Sequence, residues 1–203
     1  MRARRREFGQ QLLSCSLLAG GALLAFFGLR DLVQWRTGQV EAARQFETVS
    51  LVKPSPFNTA PRPSTPQLGD AIAKLVIPRL DAEYYVVEGD GVKQLLRGPG
   101  HLRGSAMPGA NGNCVIAAHR DTHFRVLKDI RDGDEIVLQT RGGEYTYRVR
   151  GTRIVPPSNT KSLRPTSDAE LHLVTCYPFY YLGPAPKRFV VEASLERRAS
   201  VLP

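Results

Sequence analysis

The sequence has few cysteines, a single tryptophan and no dense stripe of basic residues, and these scarcities exclude several classes of protein. Three cysteines are too few, and odd in number, to hold together a small disulfide-stabilised domain. The net charge of +9 does not indicate a nucleic-acid partner, because residues 1–30 supply +4 and residues 70–203 only another +4. We find neither a glycine-rich phosphate loop nor an internal repeat. At 203 residues and 42% hydrophobic content, the chain can form one ordinary domain with appendages.

An uncharged, largely apolar segment lies near the N-terminus, at residues 8–29. As a helix it is long enough to cross the roughly 30 Å of hydrocarbon in a bilayer. Four arginines precede it, so the positive-inside rule predicts a cytoplasmic N-terminus and an extracytoplasmic remainder. The apolar run is longer than that of a cleavable signal peptide. We therefore expect residues 1–30 to form a basic tip and a single-pass transmembrane helix in the cell (inner) membrane, which contacts lipid through 8–29.

Residues 31–69 are predicted to connect this anchor to an outer domain. The segment 31–49 is typical of a polar helix whose few apolar residues pack on little, and Trp35 suits the outer membrane interface. Five prolines within 51–69 lack an N–H and favour extended geometry, which indicates a spacer. The outer domain is expected to comprise residues 70–203.

Short β-rich runs separated by glycine, proline and Asn/Asp follow residue 70, which is typical of a β-barrel or sandwich. No long amphipathic helix separates them, so a doubly wound α/β fold is disfavoured. Gly142-Gly143 predicts a tight hairpin turn, and short helical turns are expected at 92–96 and 124–130. The predicted strands are 71–77, 84–87, 114–118, 135–139, 145–155, 171–176 and 189–194.

Three polar residues with complementary chemistry stand at the ends of these strands. His119 follows the third strand, Cys176 closes the sixth, and Arg188 precedes the seventh. If the third and sixth strands are parallel neighbours, and the seventh is antiparallel to the sixth, all three share one edge of the sheet. A thiol needs a base or cation to become a thiolate, and acyl transfer needs a donor where the carbonyl oxygen gains charge. The pattern is compatible with acyl transfer by Cys176, His119 and Arg188, and equally with a capping or core histidine and a solvated arginine at a strand edge.

Other functions for the same residues stay open. His119 and His123 are four residues apart, as in helical zinc sites, and a third ligand from His101, His172, Asp121 or Cys176 would make a zinc-dependent hydrolase. However, Arg120 occupies the position at which such hydrolases carry a glutamate. A membrane-anchored, non-catalytic peptide-binding scaffold would use Cys176 only for packing. In an oxidising compartment, Cys114 and Cys176 would be candidates for a disulfide that silences the thiol.

Three short motifs together resemble those of one family. They are His119-Arg-Asp-Thr, Leu173-Val-Thr-Cys176 and Arg188 within Lys-Arg-Phe. In these motifs and their order, residues 70–195 resemble the sortases, the membrane-anchored cysteine transpeptidases of bacterial cell surfaces. The sequence between Cys176 and Arg188 is similar to that of the class D-like subgroup. Ala118 departs from the family, which often has glycine at that position.

The resemblance implies a mainly β fold, a closed eight-stranded barrel with short helices after an N-terminal transmembrane helix. It implies that Cys176 attacks the threonine carbonyl of a Leu-Pro-x-Thr-Gly-like sorting signal, that His119 transfers protons, and that Arg188 steadies the signal and the oxyanion. The partners would be secreted proteins with a C-terminal sorting signal and an amine acceptor of peptidoglycan or a pilin. No cofactor or metal is predicted. Some sortases use calcium, but the acidic residues Glu83, Glu88 and Asp90 lack the spacing of a calcium site.

Overall fold

A computed structural model describes residues 2–50 and 65–199 of the chain. Within the first range, side chains are described for residues 15–30, 33 and 36–48. The greater part of the predicted spacer, residues 51–64, and the predicted interfacial position of Trp35 lie outside this set.

The described residues form a long helix, a barrel and several short helices. Helix α1 spans Arg2–Ser50 and α2 spans Val92–Arg97. Three 3-10 helices occupy Pro78–Leu80, His123–Asp129 and Lys161–Leu163. The strands are β1 (Ala71–Ile77), β2 (Ala82–Glu88), β3 (Gly100–His101), β4 (Gly112–Ala117), β5 (Glu135–Thr140), β6 (Gly143–Val155), β7 (Ala169–Tyr177) and β8 (Lys187–Ala199).

The eight strands close into a barrel in the order β1-β2-β3-β4-β7-β8-β6-β5. Strands β4 and β7 pair in parallel, whereas β7 and β8 pair antiparallel. The long strands β6 and β8 also pair antiparallel, from Glu144 opposite Ala199 to Val155 opposite Arg188. As a result β7 lies between β4 and β8 in the barrel wall.

Alternate side chains of each strand point inward and fill the barrel. In β5, Ile136 and Leu138 are fully buried, while Glu135 and Val137, which alternate with them, are partly exposed. Leu138 pairs with the equally buried Leu75 of β1. Burial of one such side chain contributes about 1.5–3 kcal/mol. The inward alternation also fixes the register, because a slip by one residue would turn every core side chain outward.

The predicted fold class is confirmed, since the described residues are mainly β and close into an eight-stranded barrel. All seven predicted strands are present, most of them longer than predicted. Strand β3 was missed because two residues carry no periodic pattern. The predicted hairpin is present, but its loop residues are Arg141 and Gly142, because Thr140 already pairs with Gly143.

The prediction that residues 31–49 pack on little is wrong. Ala42 of α1 is fully buried in a cluster with Ala71 and Val87, and the Phe46 ring packs beside that of Tyr85. These contacts were missed because the apolar residues involved are few and do not form a continuous stripe. The C-terminal part of α1 is therefore docked on the outside of the barrel.

A glutamine side chain fixes this docking. The Gln39 amide donates to the carbonyl oxygens of Tyr85, at 3.1 Å, and Arg97, at 2.8 Å. Its oxygen accepts the Tyr85 N–H at 2.8 Å. The short strand β3 pairs with β2 only at Val87 and Glu88. Gln39 thus pairs with the β2 backbone at Tyr85, outside that paired segment. The neighbouring Gly38 allows this approach, because a Cβ there would lie 2.6 Å from the Arg97 Cα.

Among the described residues, no helix is both long and apolar enough to cross a membrane. The predicted span at 8–29 is therefore not confirmed. Part of that segment, up to residue 14, has side chains outside the described set.

Candidate active site

The C-terminal ends of β4 and β7 meet at one edge of the barrel. Ala117 lies opposite Val174, and the next residue, Ala118, donates its N–H to the Val174 carbonyl at 3.2 Å. His119 follows directly on this side, and Cys176 lies two residues beyond Val174 on the other. The parallel pairing that the sequence argument required is present, and it brings His119 and Cys176 to the same edge.

Strand alternation places Cys176 on the outer face of the barrel. Leu171, Leu173 and Thr175 of β7 are buried in the interior, so Cys176 points the other way and is half-buried. Cys176 lies directly opposite Arg188 of β8. Opposite residues of an antiparallel pair share a face, with Cβ atoms about 4.5–5.5 Å apart. The Cβ atoms of Cys176 and Arg188 are therefore neighbours on one face of the sheet.

The same alternation applies to β4. Cys114, Ile116 and Ala118 belong to the barrel core, so the position of His119 falls on the opposite face, where the side chain is half-buried. If the β4–β7 register is extended by two residues beyond its last pair, Ala117–Val174, the position of His119 falls opposite Cys176. The three positions therefore share one edge of the barrel.

A buried hydrogen bond fixes the two strand ends to each other. The Thr175 hydroxyl donates to the Ala118 carbonyl at 2.7 Å, and Thr175 is only 2% exposed. Leaving such a buried carbonyl without a partner costs about 1–3 kcal/mol. Because each partner directly precedes a predicted catalytic residue, the bond holds the backbones of His119 and Cys176 in register.

Aromatic rings anchor the loop that follows Cys176. The Tyr177 ring lies 5.9 Å from that of Phe179 and 6.3 Å from that of Phe189, and the latter two are 5.2 Å apart. Phe179 and Phe189 also pack against the barrel core. The peptide bond between Tyr177 and Pro178 is cis. The loop therefore leaves β7 and enters β8 at fixed positions.

The guanidinium of Arg188 closes the far end of the loop. Its Nη1 donates to the carbonyl oxygens of Ala185, at 3.4 Å, and Lys187, at 3.1 Å. The guanidinium makes no other hydrogen bond to a described residue. Since Arg188 lies opposite Cys176 in the β7–β8 pair, its remaining N–H groups are available as donors on this face.

A second arginine connects the loop 178–186 to the segment after His119. Arg120 Nη2 donates to the carbonyl oxygens of Tyr181, at 2.7 Å, and Gly183, at 3.1 Å. The Arg120 guanidinium also lies over the Tyr181 ring, 5.6 Å from its centroid. This set of contacts, which we call the Arg120 clasp, joins the two loops that flank the site.

Arg125, five residues after Arg120, makes a similar contact with the neighbouring tyrosine. Its guanidinium lies 5.0 Å from the centroid of the Tyr180 ring, which is otherwise 70% exposed. Sequence reasoning considered Arg120 only as a departure from a zinc motif and did not consider Arg125. The sequence has two arginines shortly after His119 and two adjacent tyrosines shortly after Cys176. This combination could have been used to predict cation–π contacts between the two loops.

His123 does not join His119 at the edge. It begins a 3-10 helix, is 1% exposed, and meets the Tyr84 ring edge-on at 5.5 Å. Burial, with a smaller contribution from His119, lowers the pKa of His123 to about 4. Among the described residues, no group of three His, Cys, Asp or Glu side chains is placed to hold a metal ion. The geometry therefore gives the zinc-hydrolase alternative no support.

Cys114 cannot form a disulfide with Cys176 in this fold. It pairs with Leu171, five residues before Cys176 along β7. At about 3.3 Å per residue this is a separation of about 16 Å, whereas a disulfide needs Cα atoms within about 7 Å. Cys114 faces the core, and burial raises the pKa of its thiol. Its role is packing.

Two other histidines considered as ligands are engaged elsewhere. His101 Nδ1 lies 2.7 Å from the Glu88 carboxylate, and the two residues are 1% and 6% exposed. The Ser105 hydroxyl lies 3.0 Å from His101 Nε2. His172 is buried, with Nδ1 2.7 Å from the Ser162 carbonyl. All of these groups therefore belong to buried polar networks that support the barrel.

Comparisons with known proteins agree with this geometry. The Sortase domain family model matches residues 75–196. Sortase D of Bacillus subtilis is 33% identical over 191 residues, which cover 90% of this chain and 96% of that protein. The structure of a Clostridium perfringens Sortase D5 transpeptidase superposes with a TM-score of 0.70 at 25% identity, covering 79% of this chain and 99% of that one.

The crystal structure of Sortase E1 from Streptomyces coelicolor, with a tripeptide in the active site, superposes with a TM-score of 0.57 at 27% identity and covers 64% of this chain and 90% of that one. The region matched by the family model includes His119, Cys176 and Arg188. The chain therefore belongs to the sortase family of cysteine transpeptidases and is similar to its class D members.

Proposed function

We propose that this sortase cleaves a C-terminal sorting signal of the Leu-Pro-x-Thr-Gly type and transfers the acyl product to an amine of the cell envelope or of a pilin. The observation that carries the proposal is the position of Cys176, opposite Arg188 on one neighbouring strand and beside the end of β4, which leads to His119, on the other. Support for a peptide substrate comes from the related sortase E1, whose active site holds a tripeptide.

In the first half of the reaction, the Cys176 thiolate attacks the carbonyl carbon of the signal's threonine. The oxygen gains negative charge, which N–H groups of Arg188 stabilise. The carbon–nitrogen bond to glycine then breaks, and the leaving amine takes a proton from the His119 imidazolium. The products are a thioacyl-enzyme and the released C-terminal fragment.

In the second half, the acceptor amine attacks the thioester carbon. Neutral His119 takes the proton that the amine loses, and the carbon–sulfur bond breaks to return the Cys176 thiolate. An amide bond has formed, and the catalytic groups are restored. The Arg120 clasp and the Thr175–Ala118 bond are suited to keep the three groups aligned through both halves.

We also propose that residues 8–29 anchor the enzyme in the cell (inner) membrane, with the N-terminus in the cytoplasm and the catalytic domain outside. The four preceding arginines favour this orientation. The association of sortases with the cell envelope is consistent with it. Secreted proteins and envelope amines would then meet the barrel on the outer side.

The test is cleavage of a quenched peptide library, in which each position of the signal is varied, by the full chain in detergent. We expect cleavage only of Leu-Pro-x-Thr-Gly-like members and a loss of about 10³-fold or more in Cys176→Ala. Mass spectrometry of the enzyme without acceptor should show the acyl group on Cys176. Cleavage that survives Cys176→Ala, or no cleavage of any member, would contradict the proposal.

The role of Arg188 has a matched control on the same strand. Arg188→Lys keeps the charge but loses the planar fork of N–H groups, so we expect kcat/KM to fall about tenfold or more. Lys187 is exposed, and Lys187→Gln should leave kcat/KM within about twofold. Equal losses in both variants would contradict a specific role for the Arg188 guanidinium. Since the proposed steps use only Cys, His and Arg side chains, activity is expected to persist with a chelator.

A further inference from the structure

A groove of about 730 Å³ lies between α1 and α2. Its walls carry four cationic side chains, Arg36, Arg44, Lys93 and Arg97, and none of its lining residues belongs to the active-site edge. The volume falls within the range of about 300–1,000 Å³ that is typical of small-molecule sites. The sortase reaction gives this groove no role.

Three of the four groove cations lack an ion-pair partner. The side chains of Arg36, Arg44 and Lys93 form no ion pair or hydrogen bond with a described residue, whereas several other arginines of the chain pair with carboxylates, as in Arg79–Asp134 and Arg148–Glu135. The remaining one, Arg97, donates to the Gly69 carbonyl at 3.3 Å. Glu41, the carboxylate among the described lining residues, accepts a hydrogen bond from Gln45 instead.

Aliphatic side chains lie among these cations. Val40 is 52% exposed and Leu96 is 37% exposed, and both line the groove. Arginine forks match the oxygens of a phosphate group, and exposed aliphatic surface favours an apolar portion next to it. The groove therefore suits an amphiphilic phosphate rather than a bare anion.

The two walls are held in place without a ligand. Gln39 is hydrogen-bonded to the Arg97 carbonyl at 2.8 Å, and Gly38 brings the α1 backbone against the same residue. A ligand therefore does not have to order the helices when it binds, which favours affinity.

We propose that this groove binds the headgroup of an anionic phospholipid. Helix α1 is continuous from the exposed apolar residues Leu24 and Leu29, which are 76% and 62% exposed, to Arg36. Seven residues at about 1.5 Å each place Arg36 about 10 Å beyond Leu29. A bilayer around the apolar segment would have its outer phosphates at the level of the groove. The inference rests on the proposed membrane anchor, but not on the chemistry at Cys176.

The experiment uses the single tryptophan of the chain, Trp35, which directly precedes Arg36. The full chain is placed in nanodiscs of phosphatidylcholine with a minor fraction of phosphatidylglycerol, and either lipid carries brominated acyl chains. Bromine quenches tryptophan fluorescence at short range. We expect brominated phosphatidylglycerol to quench Trp35 several-fold more than its mole fraction in the nanodisc predicts. We call this excess quenching the enrichment.

In the variant R36Q/R44Q/K93Q, quenching should fall to the value that the mole fraction of phosphatidylglycerol predicts. A matched control, R103Q/K161Q/R164Q, removes the same charge from exposed positions outside the groove and should leave the enrichment intact. Equal thermal unfolding curves for the two variants would confirm that both are folded.

Enrichment that persists in R36Q/R44Q/K93Q, or is lost equally in the control, overturns the proposal. Competition by millimolar glycerol phosphate is expected of a headgroup site. Binding of glycerol phosphate to the full chain in detergent, without phosphatidylglycerol enrichment in nanodiscs, overturns the proposal in favour of a soluble phosphate ligand. Absence of quenching by brominated phosphatidylcholine contradicts the anchor and therefore this site. Peptide cleavage, measured on the same samples, should be equal in all variants, so failure here is distinguishable from failure of the proposed function.

Discussion

Cys114 of β4 and Cys176 of β7 lie on neighbouring strands but on opposite faces of the barrel wall. Cys114 is fully buried among core side chains, whereas Cys176 is half-buried on the outer face beside Arg188. The two residues have the same chemistry but differ in side-chain direction and in position along the strand, since Cys176 lies near the end of β7. His172, on the same face as Cys176 but further from the strand end, is only 5% exposed. In this fold, the face and the strand end together decide which thiol is accessible.

His119 and His123 show a similar contrast within one short segment. They are four residues apart, yet His119 is half-buried at the active-site edge and His123 is 1% exposed against Tyr84. The pKa of His123 falls to about 4 because burial disfavours its charged form. The difference again comes from position in the fold rather than residue type.

The largest expected difference is in thiol reactivity. In a Cys15→Ser background, which removes the exposed third cysteine, iodoacetamide should label Cys176 at least about 100-fold faster than Cys114. The rates are measured by peptide mass spectrometry of the folded protein. Unfolding in urea should equalise them. Comparable rates in the folded protein would show that the two faces do not differ in access.

The second prediction concerns stability at low pH. Between pH 6.5 and pH 4 an unfolded His123 binds a proton that the folded His123 does not, so the free energy of unfolding falls as pH falls. The shift corresponds to about 3 kcal/mol by pH 4. His123→Phe removes the titrating group and keeps a ring beside Tyr84.

Urea unfolding of both proteins at neutral and acidic pH checks this second prediction. The wild type should lose more stability on acidification than His123→Phe does. An equal loss in the two proteins would assign the acid sensitivity to other groups.

The third prediction concerns the Arg120 clasp. Arg120→Gln removes the hydrogen bonds to Tyr181 and Gly183, so we expect kcat/KM for a sorting peptide to fall about tenfold through misalignment of the flanking loops. Arg125→Gln loses only a ring contact and should have a smaller effect. Arg141→Gln, in the β5–β6 hairpin loop, is the control. The idea fails if Arg120→Gln is as active as Arg141→Gln.

The smallest expected effect concerns the docking of α1. Gly38→Ala would place a Cβ 2.6 Å from the Arg97 Cα, so the helix must shift, which costs about 1–3 kcal/mol. Gly28→Ala meets no atom within 4 Å and serves as the control for helix propensity. The Tyr85 N–H donates a hydrogen bond to the Gln39 side-chain oxygen. Hydrogen exchange of this amide should accelerate only in Gly38→Ala.

The sequence predicted the positions of the strands better than it predicted the contacts between elements. His119 and Cys176 were predicted as site residues because one follows and the other closes an apolar β-rich run, but their proximity depends on a β4–β7 pairing that no local pattern encodes. The docking of Gln39 was missed because it uses backbone hydrogen bonds and small residues instead of an apolar stripe. The Arg120 clasp likewise depends on a contact between loops far apart in sequence.

The docking of α1 also bears on how far the enzyme can reach. Because one helix runs from Arg2 to Ser50 and is fixed to β2 at Gln39, the barrel is attached to the helix upstream of residues 51–64. The length of that connection therefore does not set the distance between the barrel and the proposed anchor at residues 8–29. Lengthening or shortening residues 51–64 should leave the candidate active site at the same distance from that segment, because the rise of a single helix sets this distance.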